Sequence, residues 1–150
     1  MAADRTTYAR QQARLLHSLI SGEGFPEGFA AEEAARASLL LRRKRGHEVS
    51  ASWPALAHTL GDQYEPRFDA FARTVAAPAV GGALADGLAF ARGLPASLLS
   101  EQARVEVLLA RARLARGPFF AAIALHEPRR VLVVVRVALV GVRKLVLVGR

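Results

Sequence analysis

Residues 119–148 read FFAAIALHEPRRVLVVVRVALVGVRKLVLV, and this stretch decides the fold class. It contains three apolar runs, at 119–125, 130–139 and 142–148, which are separated by the polar residues HEPR and by Gly141. Valine at this density favours strands, because a β-branched side chain loses rotamer freedom in a helix and packs well on a pleated surface. The sequence therefore predicts a three-stranded antiparallel meander here.

The middle run of this meander has two different faces. Its odd-numbered positions, from Val131 to Leu139, are all apolar, whereas its even-numbered positions include Arg136. Side chains alternate between the two faces along a strand. We therefore expect the odd-numbered face to pack on the helices and the even-numbered face, with Arg136, to lie outside the core.

The turn between the second and third runs decides which cation lies beside Arg136. A two-residue turn places Arg136 diagonal to Arg143 on one face, whereas a three-residue loop places it diagonal to Lys144. The two-residue turn would include Val140, and valine tolerates positive φ poorly, so both alternatives stay open. In either register the basic pair predicts contact with a protein partner or an acidic peptide, for example by strand addition. A homodimer contact or a covering loop is an equal alternative.

The apolar run 131–148 also resembles a membrane span, but Arg136, Arg143 and Lys144 interrupt it. Each cation would cost about 2.5–3.5 kcal/mol at the centre of a spanning helix. The first residues, MAADRTTYARQQARLL, lack the uninterrupted apolar core of a signal peptide. Together with the absence of cysteine from all 150 residues, these features predict a cytoplasmic protein that does not bind a membrane.

Upstream of residue 119 the apolar residues recur with a helical period. The expected helices cover 8–20, 28–46 with a stop or bend near Gly46, 52–61 capped by Ser52, 62–75 with a capping box of Asp62 and Glu65, 84–94, and 97–114 capped by Ser97. A loop at 76–83 interrupts them. The predicted fold class is α+β, with five or six helices in residues 1–118 and a small antiparallel β-structure in residues 119–150, packed as one compact unit.

Several single residues have expected structural roles. Trp53, which precedes a proline, and the aromatic residues of the helix that follows Asp62 are expected in the core. Asp69 is expected to pair with Arg73 four residues later on the surface of that helix. Glu106 has no evident partner in the sequence.

The sequence contains none of the common catalytic or metal-binding motifs. It has no GxGxxG or Walker-type loop, no HExxH, no CxxC and no GxSxG. Its four histidines are scattered, without the spacing of three or four residues that metal ligands on one helix need. We therefore predict no catalytic residues, no metal ligands and no cofactor.

Basic residues are the best candidates for a binding site. The chain has 21 Lys and Arg against 13 Asp and Glu, a formal charge of +8, which favours an anionic partner such as nucleic acid or an acidic protein face. The candidate partner-binding or anion-binding residues are Arg42, Arg43, Lys44, Arg45, Arg136, Arg143 and Lys144. The four consecutive cations spread around their helix, so a solvated helix end is the alternative interpretation.

Three stretches carry a family resemblance: LLLRRKRGHEVSASWPALAHTLGDQYEPRFDAFA at 39–72, DGLAFARGL at 86–94 and SEQARVEVLLARARLA at 100–115. They resemble the bacterial DNA-binding-domain family whose members accompany TIM-barrel multinuclear-iron enzymes that modify ribosomal peptides. The matching positions are Arg43, Trp53, Pro54, Leu60, Gly61, Phe68, Phe71, Leu88, Phe90 and Leu94. The resemblance implies an accessory subunit that pairs with the iron enzyme and helps to present its substrate peptide. No metal or catalytic residue carries over, because the metals belong to the partner.

The leading functional hypothesis is therefore a non-catalytic accessory or partner-recognition protein. Its partner would be a metal-dependent peptide-modifying enzyme, the substrate peptide of that enzyme, or both. A DNA-binding module that uses the basic surface is the alternative, although no helix pair clearly presents a basic recognition helix. A purely structural or oligomerising domain is the third hypothesis.

Overall fold

The computed structural model describes residues 7, 10, 14, 18, 31–125, 130–137 and 141–148. Residues 7, 10, 14 and 18 are helical. The rest of the helix expected at 8–20 lies outside the described residues, as do the connections at 126–129 and 138–140.

Within residues 31–148, the described helices come first, up to residue 114, and the strands follow. The helices are α1 (Ala31–Ser52), α2 (Pro54–Leu60), α3 (Tyr64–Thr74), α4 (Gly82–Arg92) and α5 (Glu101–Leu114), with short 3₁₀ turns at Gly61–Gln63 and Ala96–Leu98. The strands are β1 (Phe119–Leu125), β2 (Arg130–Val137) and β3 (Gly141–Val148), paired antiparallel in the order β1-β2-β3. The predicted α+β class and the antiparallel meander are confirmed.

Helix α1 does not stop at Gly46, which was one of the two expectations, and it continues to Ser52. The hydroxyl group of Tyr64 donates a hydrogen bond to the Gly46 carbonyl at 2.8 Å. A Cβ atom at Gly46 would lie only 3.1 Å from Cδ1 of Phe68. The glycine therefore permits close approach of the Phe68 ring of α3, which explains its position inside a helix.

Helix α2 begins differently from the expectation. Ser52 belongs to α1, and Trp53 occupies the N-cap position without a side-chain cap, although Pro54 lies in the first turn as predicted. The carboxylate of Glu106 on α5 instead accepts hydrogen bonds from the backbone N–H groups of Ala55, at 2.9 Å, and Leu56, at 2.8 Å. A negative charge at a helix N-terminus satisfies unpaired donors and complements the helix dipole. This contact gives Glu106 its structural role.

Two other expected caps are corrected. The capping box of Asp62 and Glu65 does not form, because Asp62 lies in a 3₁₀ turn and Gln63 precedes the helix. Helix α5 is capped by Ser100 and not by Ser97. The Ser100 side chain accepts a hydrogen bond from the backbone N–H of Ala103 at 3.2 Å, since residue 100 has the extended backbone that an N-cap needs.

The chain forms two compact units. The first unit comprises Met1–Glu48 and Asp62–Ala77, and the second comprises Val49–Gly61 and Pro78–Arg150. The expected division into residues 1–118 and 119–150 stays a prediction. In the first unit α1 and α3 are in contact, and the rings of Tyr64 and Phe68 stack with their centroids 5.8 Å apart. Tyr64, Phe68 and Ala72 of α3 are buried as predicted, whereas Phe71 is half-buried.

Trp53 is a core residue of the second unit, as predicted. Its indole N–H donates a hydrogen bond to the Ala83 carbonyl at 3.2 Å, so the polar edge of the ring is satisfied. The ring lies directly against Gly87 of α4, where a Cβ atom would overlap it. A glycine inside α4 is therefore needed for the tryptophan to fit.

The sheet packs on α5 through the even-numbered face of β2, which was expected to lie outside the core. Leu132 and Val134 of β2 are buried with Leu108 and Ala112 of α5. Val131, by contrast, is exposed. Alternation along β2 shows which residues share a face. It does not show which face is buried, because both faces carry apolar residues. Arg136 lies on the even-numbered face and donates hydrogen bonds to the end of α5. These contacts explain why the even-numbered face is buried and the odd-numbered face is not.

Replacing Gly87 by alanine should lower the free energy of unfolding by about 1–3 kcal/mol, because the added methyl group overlaps the Trp53 indole. Gly117→Ala is the matched control, since a Cβ atom there meets nothing within 4 Å. We expect the control to change stability by no more than about 0.5 kcal/mol. Urea unfolding followed by tryptophan fluorescence measures both variants. Equal stability of the two variants would contradict the packing described here.

Candidate partner-binding surfaces

The four consecutive cations of α1 have different surroundings. Arg42 is only 7% exposed. Its Nε donates a hydrogen bond to Asp69 Oδ1 at 2.7 Å, and another guanidinium nitrogen donates to the Ser38 hydroxyl at 2.5 Å. A buried guanidinium needs such partners, because an unpaired buried charge is strongly destabilising. Arg42 is therefore engaged inside the first unit.

Arg45 is half-buried against the aromatic residues of α3. Its guanidinium carbon lies 5.8 Å from the ring centroid of Phe68 and 5.5 Å from that of Phe71, within cation–π range. It also donates a hydrogen bond to the Val75 carbonyl at 2.7 Å, just after the end of α3. A cation at this position complements the C-terminal end of the helix dipole.

Arg43 and Lys44 are the members of the block that are exposed. Lys44 Nζ lies 3.9 Å from Glu48 Oε1, and both side chains are largely in solvent. Such an exposed pair contributes little to stability and leaves the ammonium group accessible. The predicted block therefore contains two cations with contacts inside the first unit and two on its surface.

Arg136 is half-buried and holds the C-terminal end of α5. Its guanidinium donates hydrogen bonds to the carbonyl oxygens of Ala112, at 3.2 Å, of Arg113, at 3.0 Å, and of Ala115. The last carbonyls of a helix have no intrahelical donor and carry partial negative charge. The side chain that was expected to face a partner therefore caps a helix of the same unit.

The register of β2 and β3 separates the candidate cations of the sheet. Arg136 pairs with Val142, and Val135 pairs with Arg143. Consecutive residues of a strand point to opposite faces, so Arg143 lies on the opposite face from Arg136. This register is the one expected for a three-residue loop, and it places Lys144 diagonal to Arg136, opposite Val134. The structure does not bring Arg136 and Arg143 together.

The face of the sheet that points away from α5 is apolar, and we call it the outer face. Its described side chains are Phe120, Ala122, Ala124, Val131, Val133, Val135 and Arg143. Phe120 is 72% exposed, and Arg143 is exposed as well. Phe120, Val135 and Arg143 occupy one row across the three strands. The row combines an aromatic ring, an aliphatic side chain and a cation.

Phe120 was not singled out from the sequence, although a signal for it exists. Two phenylalanines stand side by side at 119 and 120, and adjacent strand residues point to opposite faces. A sheet with one buried face can cover only one of them. Phe119 packs against the core of α5 and β2, and Phe120 is therefore left on the outer face.

A protein-family model described as SCO6045-like, C-terminal domain matches residues 9–96, which is more than half of the chain. The chain belongs to this family. It is a bacterial family, as the resemblance found in the sequence implied, whereas the DNA-binding and enzyme-partner parts of that resemblance stay predictions. The matched range of the SCO6045-like domain includes α1 to α4 and ends before α5 and the sheet. No curated protein matches the chain, and no solved structure matches it.

Two further observations concern the described residues of this SCO6045-like domain. None of the helices described there is long and apolar enough to cross a membrane. Over the same residues, no group of three or more His, Cys, Asp or Glu side chains is placed to hold a metal ion.

Asp69 of α3 lies between two guanidinium groups of the first unit. Partial burial acts to raise the pKa of its carboxyl group. Hydrogen bonds and positive charges from Arg42 and Arg73 outweigh burial, so the pKa of Asp69 lies below its usual range. The predicted pair with Arg73 is present, with Arg73 Nε donating to Asp69 Oδ2 at 2.9 Å. The buried partner Arg42 was not expected.

We expect Asp69→Asn to lower the free energy of unfolding by about 1–2 kcal/mol near neutral pH, because it removes the charge that balances buried Arg42. Because its pKa is lower in the folded state, ionised Asp69 stabilises the fold above its unfolded-state pKa. This contribution is lost as the pH falls through the folded-state pKa. The difference from wild type should therefore shrink in urea unfolding at acidic pH. Asp62→Asn, at an exposed position, is the control, and a pH-independent effect of Asp69→Asn would contradict the assignment.

Arg136→Met should lower the free energy of unfolding by about 1–3 kcal/mol, because it removes charge-assisted hydrogen bonds to the end of α5. Arg143→Met removes an exposed cation on the opposite face of the sheet and should change stability by about 0.5 kcal/mol or less. Thermal and urea unfolding of the two variants provide the comparison. If both variants were equally stable, Arg136 would not cap the helix.

Proposed function

We propose that this domain is a non-catalytic accessory protein that recognises a polypeptide partner through the outer face of its sheet. The supporting observation is the row formed by exposed Phe120, Val135 and exposed Arg143. A contiguous apolar surface that stays exposed in a folded chain is typical of a protein-protein contact. Aromatic and arginine side chains are also the residue types most enriched where binding energy concentrates.

The partner class that we propose is a metal-dependent peptide-modifying enzyme, its substrate peptide, or both, in the cytoplasm. The resemblance of residues 39–72, 86–94 and 100–115 to the family that accompanies multinuclear-iron enzymes supports it. The charge of the chain supports an acidic contact region on that partner, since +8 favours association with negative surfaces.

A DNA-binding role is the alternative, favoured by the same net charge. Specific DNA interfaces are more polar and more positively charged than protein interfaces. The outer face has one exposed cation, Arg143, among its described side chains, and the others are apolar. This composition favours a polypeptide over a phosphate backbone.

The test measures binding of the full chain to a multinuclear-iron peptide-modifying enzyme of the class that the resemblance implies, and to a substrate peptide of that enzyme. Isothermal titration calorimetry should give an affinity that falls at least about tenfold in the double variant Phe120→Ser with Arg143→Glu. Arg104→Glu, at an exposed position of α5, is the matched charge control and should bind like wild type. Circular dichroism confirms that the variants fold.

Unchanged binding of the double variant would rule out the outer face as the site. The DNA alternative is tested with random duplex DNA at increasing salt. Micromolar or tighter binding that falls steeply with added salt, as counterion release requires, would reverse the order of the two hypotheses. We expect only weak DNA binding.

A further inference from the structure

Helix α1 differs from an ordinary amphipathic helix over residues 34–46. Its buried positions in this range carry small or polar residues at intervals of four, namely Ala34, Ser38, Arg42 and Gly46, and a large apolar residue is buried only further along, at Val49. Of its three leucines, Leu39 is half-buried, whereas Leu40 is 64% exposed and Leu41 is 43% exposed. An ordinary amphipathic helix on the surface of a globular protein buries its leucines. Burying one leucine side chain gains about 1.5–3 kcal/mol, so two adjacent exposed leucines leave a considerable gain unused.

Cations surround this apolar centre. Residues three and four positions apart share a helix surface, and Arg36, Arg43 and Lys44 stand in these positions relative to Leu40. All three cations are exposed. Arg36 lies 3.9 Å from Glu32, and the side chains of that pair are 80% and 88% exposed, so the ion pair leaves the guanidinium accessible. We call these residues, with Leu41, the Leu40 surface.

We propose that the Leu40 surface binds an amphipathic helix of a partner protein whose apolar side chains are flanked by carboxylates. Apolar residues of the partner would cover Leu40 and Leu41, and its carboxylates would pair with the three surrounding cations. The charge complementarity selects this occupant, because electrostatic complementarity suppresses partners that carry like charges at the contact.

A second copy of the chain fits this surface poorly. A two-fold contact brings the same patch of both copies together, so six exposed cations would meet around the leucines. Each copy also carries a formal charge of +8. Nucleic acid fits poorly for another reason, since exposed leucines at the centre gain nothing from phosphate oxygens and hinder their approach.

This inference does not rest on the proposed function. The Leu40 surface belongs to the first unit, whereas the outer face belongs to the second unit. Substitutions in one surface leave the residues of the other unchanged. Either proposal can therefore fail while the other holds.

The test uses the full chain labelled with ¹⁵N and two synthetic helical peptides. One peptide carries a leucine stripe flanked by glutamates, and the second is identical except that lysines replace the glutamates. In two-dimensional NMR the glutamate peptide should shift the amide signals of residues 36–44. Its dissociation constant should be at least about tenfold lower than that of the lysine peptide. Absence of these shifts would overturn the proposal.

Charge reversal supplies the decisive comparison. The double variant Arg43→Glu with Lys44→Glu should reverse the preference, so that the lysine peptide binds more tightly than the glutamate peptide. The double variant Arg67→Glu with Arg104→Glu changes the net charge equally, at exposed positions of α3 and α5, and should keep the wild-type preference. Leu40→Ser should weaken binding of the glutamate peptide without reversing the preference.

The remaining outcomes would each overturn the proposal. An unchanged preference in the Arg43 and Lys44 variant would show that the cations do not select the partner. Self-association of the wild-type chain in sedimentation, abolished by Leu40→Ser, would identify a second copy as the occupant. Tight, salt-sensitive binding of duplex DNA, lost in the Arg43 and Lys44 variant, would identify nucleic acid.

Discussion

The guanidinium of Arg136 on the C-terminal carbonyls of α5 determines how the second unit presents its sheet. A long cationic side chain that emerges among apolar neighbours needs several acceptors, and the end of a helix offers a cluster of them. This contact fixes the face that carries Leu132 and Val134 against α5. The opposite face, with Phe120 and Arg143, is consequently left open. The surface proposed for partner recognition is therefore left open because Arg136 donates hydrogen bonds to the last carbonyl groups of α5 on the other side of the sheet.

A similar constraint operates in the first unit. The guanidinium of Arg42 is buried between Ser38 and Asp69, and Gly46 admits the Phe68 ring and accepts a hydrogen bond from the Tyr64 hydroxyl group. These contacts use the side of α1 that has small and polar residues. Because α1 is fixed in this rotation, Leu40 and Leu41 lie on the solvent side. Exposure of these leucines follows from contacts made on the other side of the helix.

In both units, then, the hydrogen bonds of one arginine, buried Arg42 or half-buried Arg136, decide which apolar side chains are left in solvent. The exposed leucines of α1 are adjacent to cations, and the outer face of the sheet carries Arg143. An apolar contact combined with positive charge suits acidic polypeptide partners in both cases.

The sequence by itself determined the α+β class, the three strands, the aromatic core of α3 and the core position of Trp53, because these depend on local periodicity and β-propensity. It did not determine which face of β2 is buried, since both faces are apolar and the choice depends on Arg136 reaching a helix end 24 to 21 residues earlier in the chain. It also did not predict that Glu106 would cap α2 from 51 residues away, or that α1 would continue as far as Ser52. These features are decided by hydrogen bonds and ring packing between elements distant in sequence, and only the tertiary structure brings those groups within reach of one another.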